Sequence, residues 1–184
     1  RSGTTAVPAF VLGLTAMSVE ILTIVWFQAR FGFVYDRIAV LLAAFMFGLA
    51  AGAFGAVRLP SPPARRIVAL QGAAVLLVFG LDAAAAAHPH PAFPYLALLA
   101  LGGLAGAYFV DANALFTAGR ASAGRGYGWD MIGSFVAAAA LSSLIIPIAG
   151  IPLVLKSIGI LNSLVLVFLI AVQFPRRSHD PAPP

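Results

Sequence analysis

The chain contains no cysteine. Disulfides, iron–sulfur clusters, thiolate zinc sites and cysteine nucleophiles are thereby excluded within it. Charge is scarce as well: 9% of the 184 residues are Asp, Glu, Lys or Arg, where a water-facing domain carries about a quarter. Histidine occurs three times, as His88, His90 and His179, always outside the long apolar blocks, so the sequence offers no histidine pair for a buried haem. His88-Pro-His90 is a proline-rich loop and at most a weak metal site. A phosphate-binding loop is missing: GRASAGRGYG (Gly119–Gly128) lacks the lysine and serine/threonine pair. No nucleophile stands beside a base in a plausible site, and so no catalytic residue is assigned.

What the chain does have is hydrocarbon. Hydrophobic residues make up 61% of it, and the mean hydropathy is +1.00. Six blocks reach the roughly 20 residues that cross about 30 Å of lipid: about 6–29, 38–57, 67–87, 95–118, 129–149 and 151–174. Their apolar runs are continuous, which excludes the alternation of barrel strands. The expected fold is an all-α, polytopic membrane helix bundle of about six transmembrane helices, forming one domain with a short polar, proline-rich tail at 175–184. The weakest boundary lies between the last two blocks, where only Pro147, Gly150 and Pro152 interrupt the run. A tight hairpin there, with Pro152 in the first turn of the sixth helix, is expected over a single overlong span. The first residue is Arg1, and the start is read as trimmed or as the edge of a longer polypeptide.

The formal charge is +5, but the basic residues fall in short clusters between apolar blocks. That pattern belongs to membrane topology and excludes a nucleic-acid face. With six spans, one side holds Arg1, Arg58, Arg65, Arg66, Arg120, Arg125, Arg176 and Arg177, and the other holds Arg30, Arg37 and Lys156. The bias predicts cytoplasmic N- and C-termini in a bacterial inner membrane. Small residues at packing spacing, Gly48, Gly52 and Gly55 in the second span and Gly102 and Gly106 in the fourth, point to close helix pairs.

Ionisable residues inside the spans are the candidate functional groups, because each costs about 2.5–3.5 kcal/mol at the bilayer centre unless it finds a partner. An outer layer contains Glu20, Asp82 and Lys156, placing Glu20–Lys156 or Asp82–Lys156 at similar depth. An inner layer contains Asp111, Asn113 and Asp130, with Arg120 and Arg125 as the expected partners. Asp111 and Asn113 lie about 200° apart round a helix and do not share a site without an unwound turn. Trp26, Phe27, Tyr35 and Trp129 are placed at the interfaces, as an aromatic belt.

The stretch Glu20-Ile21-Leu22, Phe27-Gln28, Gly32-Phe33-Val34-Tyr35 and then AFMFGLAAGA (Ala44–Ala53) resembles the membrane region of spermidine-synthase-like integral membrane proteins. DANALF (Asp111–Phe116) and GYGWDMIGS (Gly126–Ser134) agree in order, and the resemblance runs from about Met17 to Gly150. In that family the catalytic chemistry belongs to a soluble aminopropyltransferase-like domain, fused or separately encoded. The resemblance therefore transfers no catalytic residue; the matching membrane positions are Glu20, Gln28, Tyr35, Asp111, Asn113 and Asp130. The expected role is a non-catalytic integral membrane subunit or anchor, surrounded by lipid and packed beside other membrane subunits or a second copy. A carrier for a cationic or amine solute, working as a dimer through its carboxylates, is the alternative. A membrane half of an aminopropyltransferase-like enzyme comes third. No cofactor is expected within the chain, and haem or quinone enters only through partner subunits.

Overall fold

The computed structural model describes residues 3–32, 35–87, 90–118 and 124–173. All regular structure among them is helical: α1 (Gly3–Phe31), α2 (Tyr35–Arg58), α3 (Pro63–Ala86), α4 (Phe93–Ala118), α5 (Gly124–Ala140), a π-helical turn (Leu141–Ile145) and α6 (Ile146–Gln173). Five of these helices, α1, α2, α3, α4 and α6, are long and apolar enough to cross a membrane. The chain is thus an integral membrane protein, built from the one open-ended element that satisfies every backbone group inside lipid.

Local chemistry sets the ends. Gly32 takes φ 84 and its N–H donates to Gln28 O at 2.9 Å, a left-handed cap that closes α1. Proline opens α3, whose first turn needs no N–H, after an extended Pro62. The fifth apolar block is built differently. Its backbone is helical from α5 through the π turn, and then breaks at Gly150, where φ 73 and ψ 164 are open only to glycine. Pro152 follows in the first turn beyond the break, where the hairpin was expected.

Four helices, α1, α4, α3 and α6, contact one another in a closed ring; α2 lies against α4 and α5 against α1. Exchanging α1 with α4, α2 with α5 and α3 with α6 turns this pattern into itself, a smaller α4–α5 contact excepted. The exchange holds at the level of single residues. A Cβ added at Gly48 of α2 would collide with the Leu99 carbonyl of α4, and one at Gly133 of α5 with the Phe10 carbonyl of α1. In return, Gly102 meets the Phe45 carbonyl and Gly13 meets the Asp130 carbonyl. Positions 10, 13 and 14 of α1 thus correspond to 99, 102 and 103 of α4, and 45 and 48 of α2 to 130 and 133 of α5.

The third pair keeps register as well: buried Ile67, Gln71, Ala74 and Val78 of α3 match buried Ile158, Asn162, Val165 and Leu169 of α6. Two three-helix units, 3–86 and 93–173, therefore share one packing scheme. Small residues make it possible, because backbones in lipid gain most by approaching closely. Gly48, Gly52, Gly102 and Gly106 all lie at the α2–α4 crossing, as their spacing predicts, while Gly55 faces open space.

Candidate functional site

Polar groups inside the bundle form two clusters and several isolated positions. The first cluster centres on Asp111 of α4, fully buried, which accepts from Arg66 Nε at 3.0 Å and also from Arg66 Nη2. Arg66 Nη1 donates to two carbonyls at the end of α2, Ala56 at 2.9 Å and Leu59 at 2.7 Å. The planar fork of a guanidinium matches a carboxylate two-for-two, so both charges and the last carbonyls of α2 are satisfied together. Sequence reasoning assigned Asp111 to Arg120 or Arg125; Arg120 lies outside the described residues, and Arg66 is the partner seen. Arg66 sits in the first turn of α3, and its long stem lets the head reach sideways from a position read only for topology.

The second cluster is uncharged and lies where α3, α6 and α1 meet. Gln71 Nε2 donates to Asn162 Oδ1 at 2.9 Å and to the Asn162 carbonyl at 3.2 Å. Asn162 Nδ2 donates to Thr15 Oγ1 at 2.8 Å and to Ile158 O at 2.8 Å. All three side chains are buried. Gln71 and Asn162 are equivalent positions of the two units, so this link lies on the axis that relates them. Gln71, Asn162 and Thr15 are uncharged and stand outside the set of ionisable candidates. Side-chain amides within otherwise apolar runs were the available signal, since a buried amide without partners is costly in lipid.

The other expected residues stay apart. Glu20, half-buried on α1, Asp82, half-buried on α3, and Lys156, exposed on α6, form no ion pair or hydrogen bond among the described residues. The anticipated pairing of Lys156 with Glu20 or Asp82 is thus not formed. Asp130 lies over Gly13 at the α1–α5 crossing. Asn113 turns away from Asp111, as the 200° separation requires: its Oδ1 is buried opposite Gly126 of α5 and is unpartnered among the described residues. Tyr108 Oη and Ser18 Oγ are likewise buried without a partner.

His90 Nδ1 accepts the Ala92 N–H at 3.2 Å, a turn contact; His88 and His179 lie outside the described residues. Of the expected aromatic belt, Tyr35 and Trp129 are exposed, but Phe27 is fully buried and stacks edge-on with Tyr95 at 5.9 Å. Among the described residues, no cluster of three metal-ligating side chains occurs.

Two cavities accompany these groups. One of about 30 Å³ lies among Leu22, Trp26, Phe93 and Leu155, room for about one water but apolar. A larger one of about 270 Å³ opens between α1, α5, the π turn and α6. Among the described residues, no carboxylate lines either one. No family model, curated protein or solved structure matches the chain.

Proposed function

We propose that this chain is a six-span, non-catalytic membrane subunit that works packed against at least one further membrane chain, a second copy or a different protein. The sixth span is supplied by residues 124–149, whose unbroken helical backbone reaches about 39 Å at 1.5 Å per residue. Both ends are assigned to the cytoplasm by the arginine bias. One observation carries the subunit reading: Glu20 sits midway along α1, half-buried, with no cation in reach among the described residues, while Asp111 is fully neutralised within the chain. An intramembrane carboxylate calls for a partner, and a neighbouring chain supplies it. The open face of α2, with Phe47 70% and Phe54 67% exposed, gives such a neighbour an apolar surface. The resemblance to the membrane region of spermidine-synthase-like proteins agrees, since that region accompanies a separate functional part.

A second reading is favoured by the repeated three-helix packing. Paired repeats of this kind build secondary transporters, with sites near the repeat interface. On that reading Glu20 and Asp130 are counter-charges for an amine-like solute, and two copies make one carrier. An aminopropyltransferase-like role ranks third, because no residue here would perform the transfer.

Purification in mild detergent separates the readings. The subunit reading expects a second chain in stoichiometric amount and a complex that dissociates in Glu20→Gln. The carrier reading expects a homodimer whose amine uptake collapses in the same variant. A stable, isolated monomer with no uptake contradicts both.

A further inference from the structure

The two units differ most at one pair of equivalent grooves. In the groove between α2, α3 and α4, the side chain of Arg66 fills the space and reaches Ala56 O and Asp111. The register of the repeat puts Ser157 at the position of Arg66, Leu141 at that of Ala56 and Leu22 at that of Asp111. A short hydroxyl thus replaces a long cation, and the partner carboxylate is gone. The space left over is the cavity of about 270 Å³, lined by Ser157, Leu141, Ile145, Ala137, Leu14 and Ser18 among others.

Ser18 is 0% exposed, lines this cavity, and its Oγ has no partner among the described residues. A helical serine normally satisfies itself on the carbonyl one turn back. Ser157 does so on Leu153 O and Ser163 on Gly159 O, both at 2.8 Å. Ser18 therefore presents a free hydroxyl in the middle of α1, at the back of an apolar groove. The lip of the groove, Val136, Ile145 and Leu153, is exposed and apolar, so the opening faces hydrocarbon. One wall is the π turn, an irregularity common at functional sites.

We propose that this groove binds a neutral, chain-like molecule dissolved in the bilayer, whose carbonyl oxygen accepts the Ser18 hydroxyl. The absence of any charged residue among the described residues of the lining selects an uncharged ligand. The two hydroxyls described in the lining, Ser18 and the already bonded Ser157, hold one water at most in a cavity this large, since each molecule needs two to four polar partners. A plain acyl chain fills the volume but leaves the hydroxyl unpaired, at the cost of a buried polar group.

The test uses the full chain in lipid nanodiscs with two photoreactive diazirine probes, a long-chain ketone and the alkane of equal length. The ketone is expected to label peptides spanning 136–161 about 5- to 10-fold more than the alkane, the worth of one neutral hydrogen bond. Ser18→Val, and independently Ser18→Ala, brings ketone labelling down to the alkane level with an unchanged thermal melt. Ser157→Phe refills the groove and removes labelling by both probes there, while labelling near Phe47 persists. Equal labelling by ketone and alkane, or a ratio that survives both Ser18 variants, overturns the proposal.

Discussion

At one end of the ring a guanidinium plugs the groove between α2, α3 and α4; at the equivalent place between α5, α6 and α1 there is a serine, a leucine and an opening. The backbones of the two units nevertheless cross at matching glycines, Gly48 with Gly102 and Gly133 with Gly13. The contrast separates two jobs. Residues without side chains fix how the helices cross, and a crossing fixed in that way lets the side chains between helices diverge. One unit has used that freedom for a lock and the other for a cavity.

The largest effects should come from breaking what the units share. Gly48→Leu and Gly133→Leu each force a side chain into a facing backbone and should cost more than about 4 kcal/mol, at the severe end for one substitution. Fluorescence-detected size exclusion should find no monodisperse peak for either, whereas Gly55→Leu, in open space, should elute normally. Tolerance of Gly133→Leu alone would break the equivalence of the two crossings.

Next in size is the lock. Asp111→Ala strands a buried guanidinium and should destabilise by about 3–5 kcal/mol, read as a lowered Tm in detergent. Replacing the pair by apolar residues, Arg66→Met with Asp111→Leu, should restore most of that loss, because an apolar replacement of a buried pair is often neutral or better. Failure of the double variant to recover would give the pair a role beyond packing.

A smaller loss is expected at the shared axis. Asn162→Leu removes the partner of both Gln71 and Thr15 and should cost about 0.6–1.7 kcal/mol, the range for hydrogen bonds between membrane helices. Gln71→Leu should cost a similar amount, and the double variant less than the sum, since the two act on one link. Smallest of all is Glu20→Gln: the isolated chain should melt within about 0.5 kcal/mol of the parent, because Glu20 has no partner to lose among the described residues. Its effect should appear only in assembly or uptake.

Much of this molecule was legible before any coordinates. Apolar block lengths place α1 to α4 within a few residues, and the spacing of Gly48, Gly52, Gly102 and Gly106 marks a real crossing. Helix ends were less legible, because Pro63 and the arginines after it belong to the first turn of α3 and not to a loop. The partner of Asp111 was missed for the same reason: Arg66 is 45 positions away, and only the antiparallel packing of α3 on α4 brings the two together. The repeat was hidden because equivalent positions carry unlike residues, Phe45 with Asp130 and Arg66 with Ser157. What the two units share is depth of burial, which leaves no sequence identity, and glycine at Gly48 and Gly133 and at Gly13 and Gly102, too few identities to mark a repeat.

The turn at Gly150 has a consequence for how the molecule is made. On the six-span reading, helices before it are separated by segments with polar residues, so each can leave the insertion machinery singly. Residues 124–173 contain no such stretch: one glycine with φ 73 and a proline two positions on are all that interrupts the helical backbone. On that reading those residues enter the bilayer together, as one hairpin. Because α5 packs on α1, α1 waits in the bilayer for a neighbour from that hairpin. The ring of four closes only when α6 arrives with it.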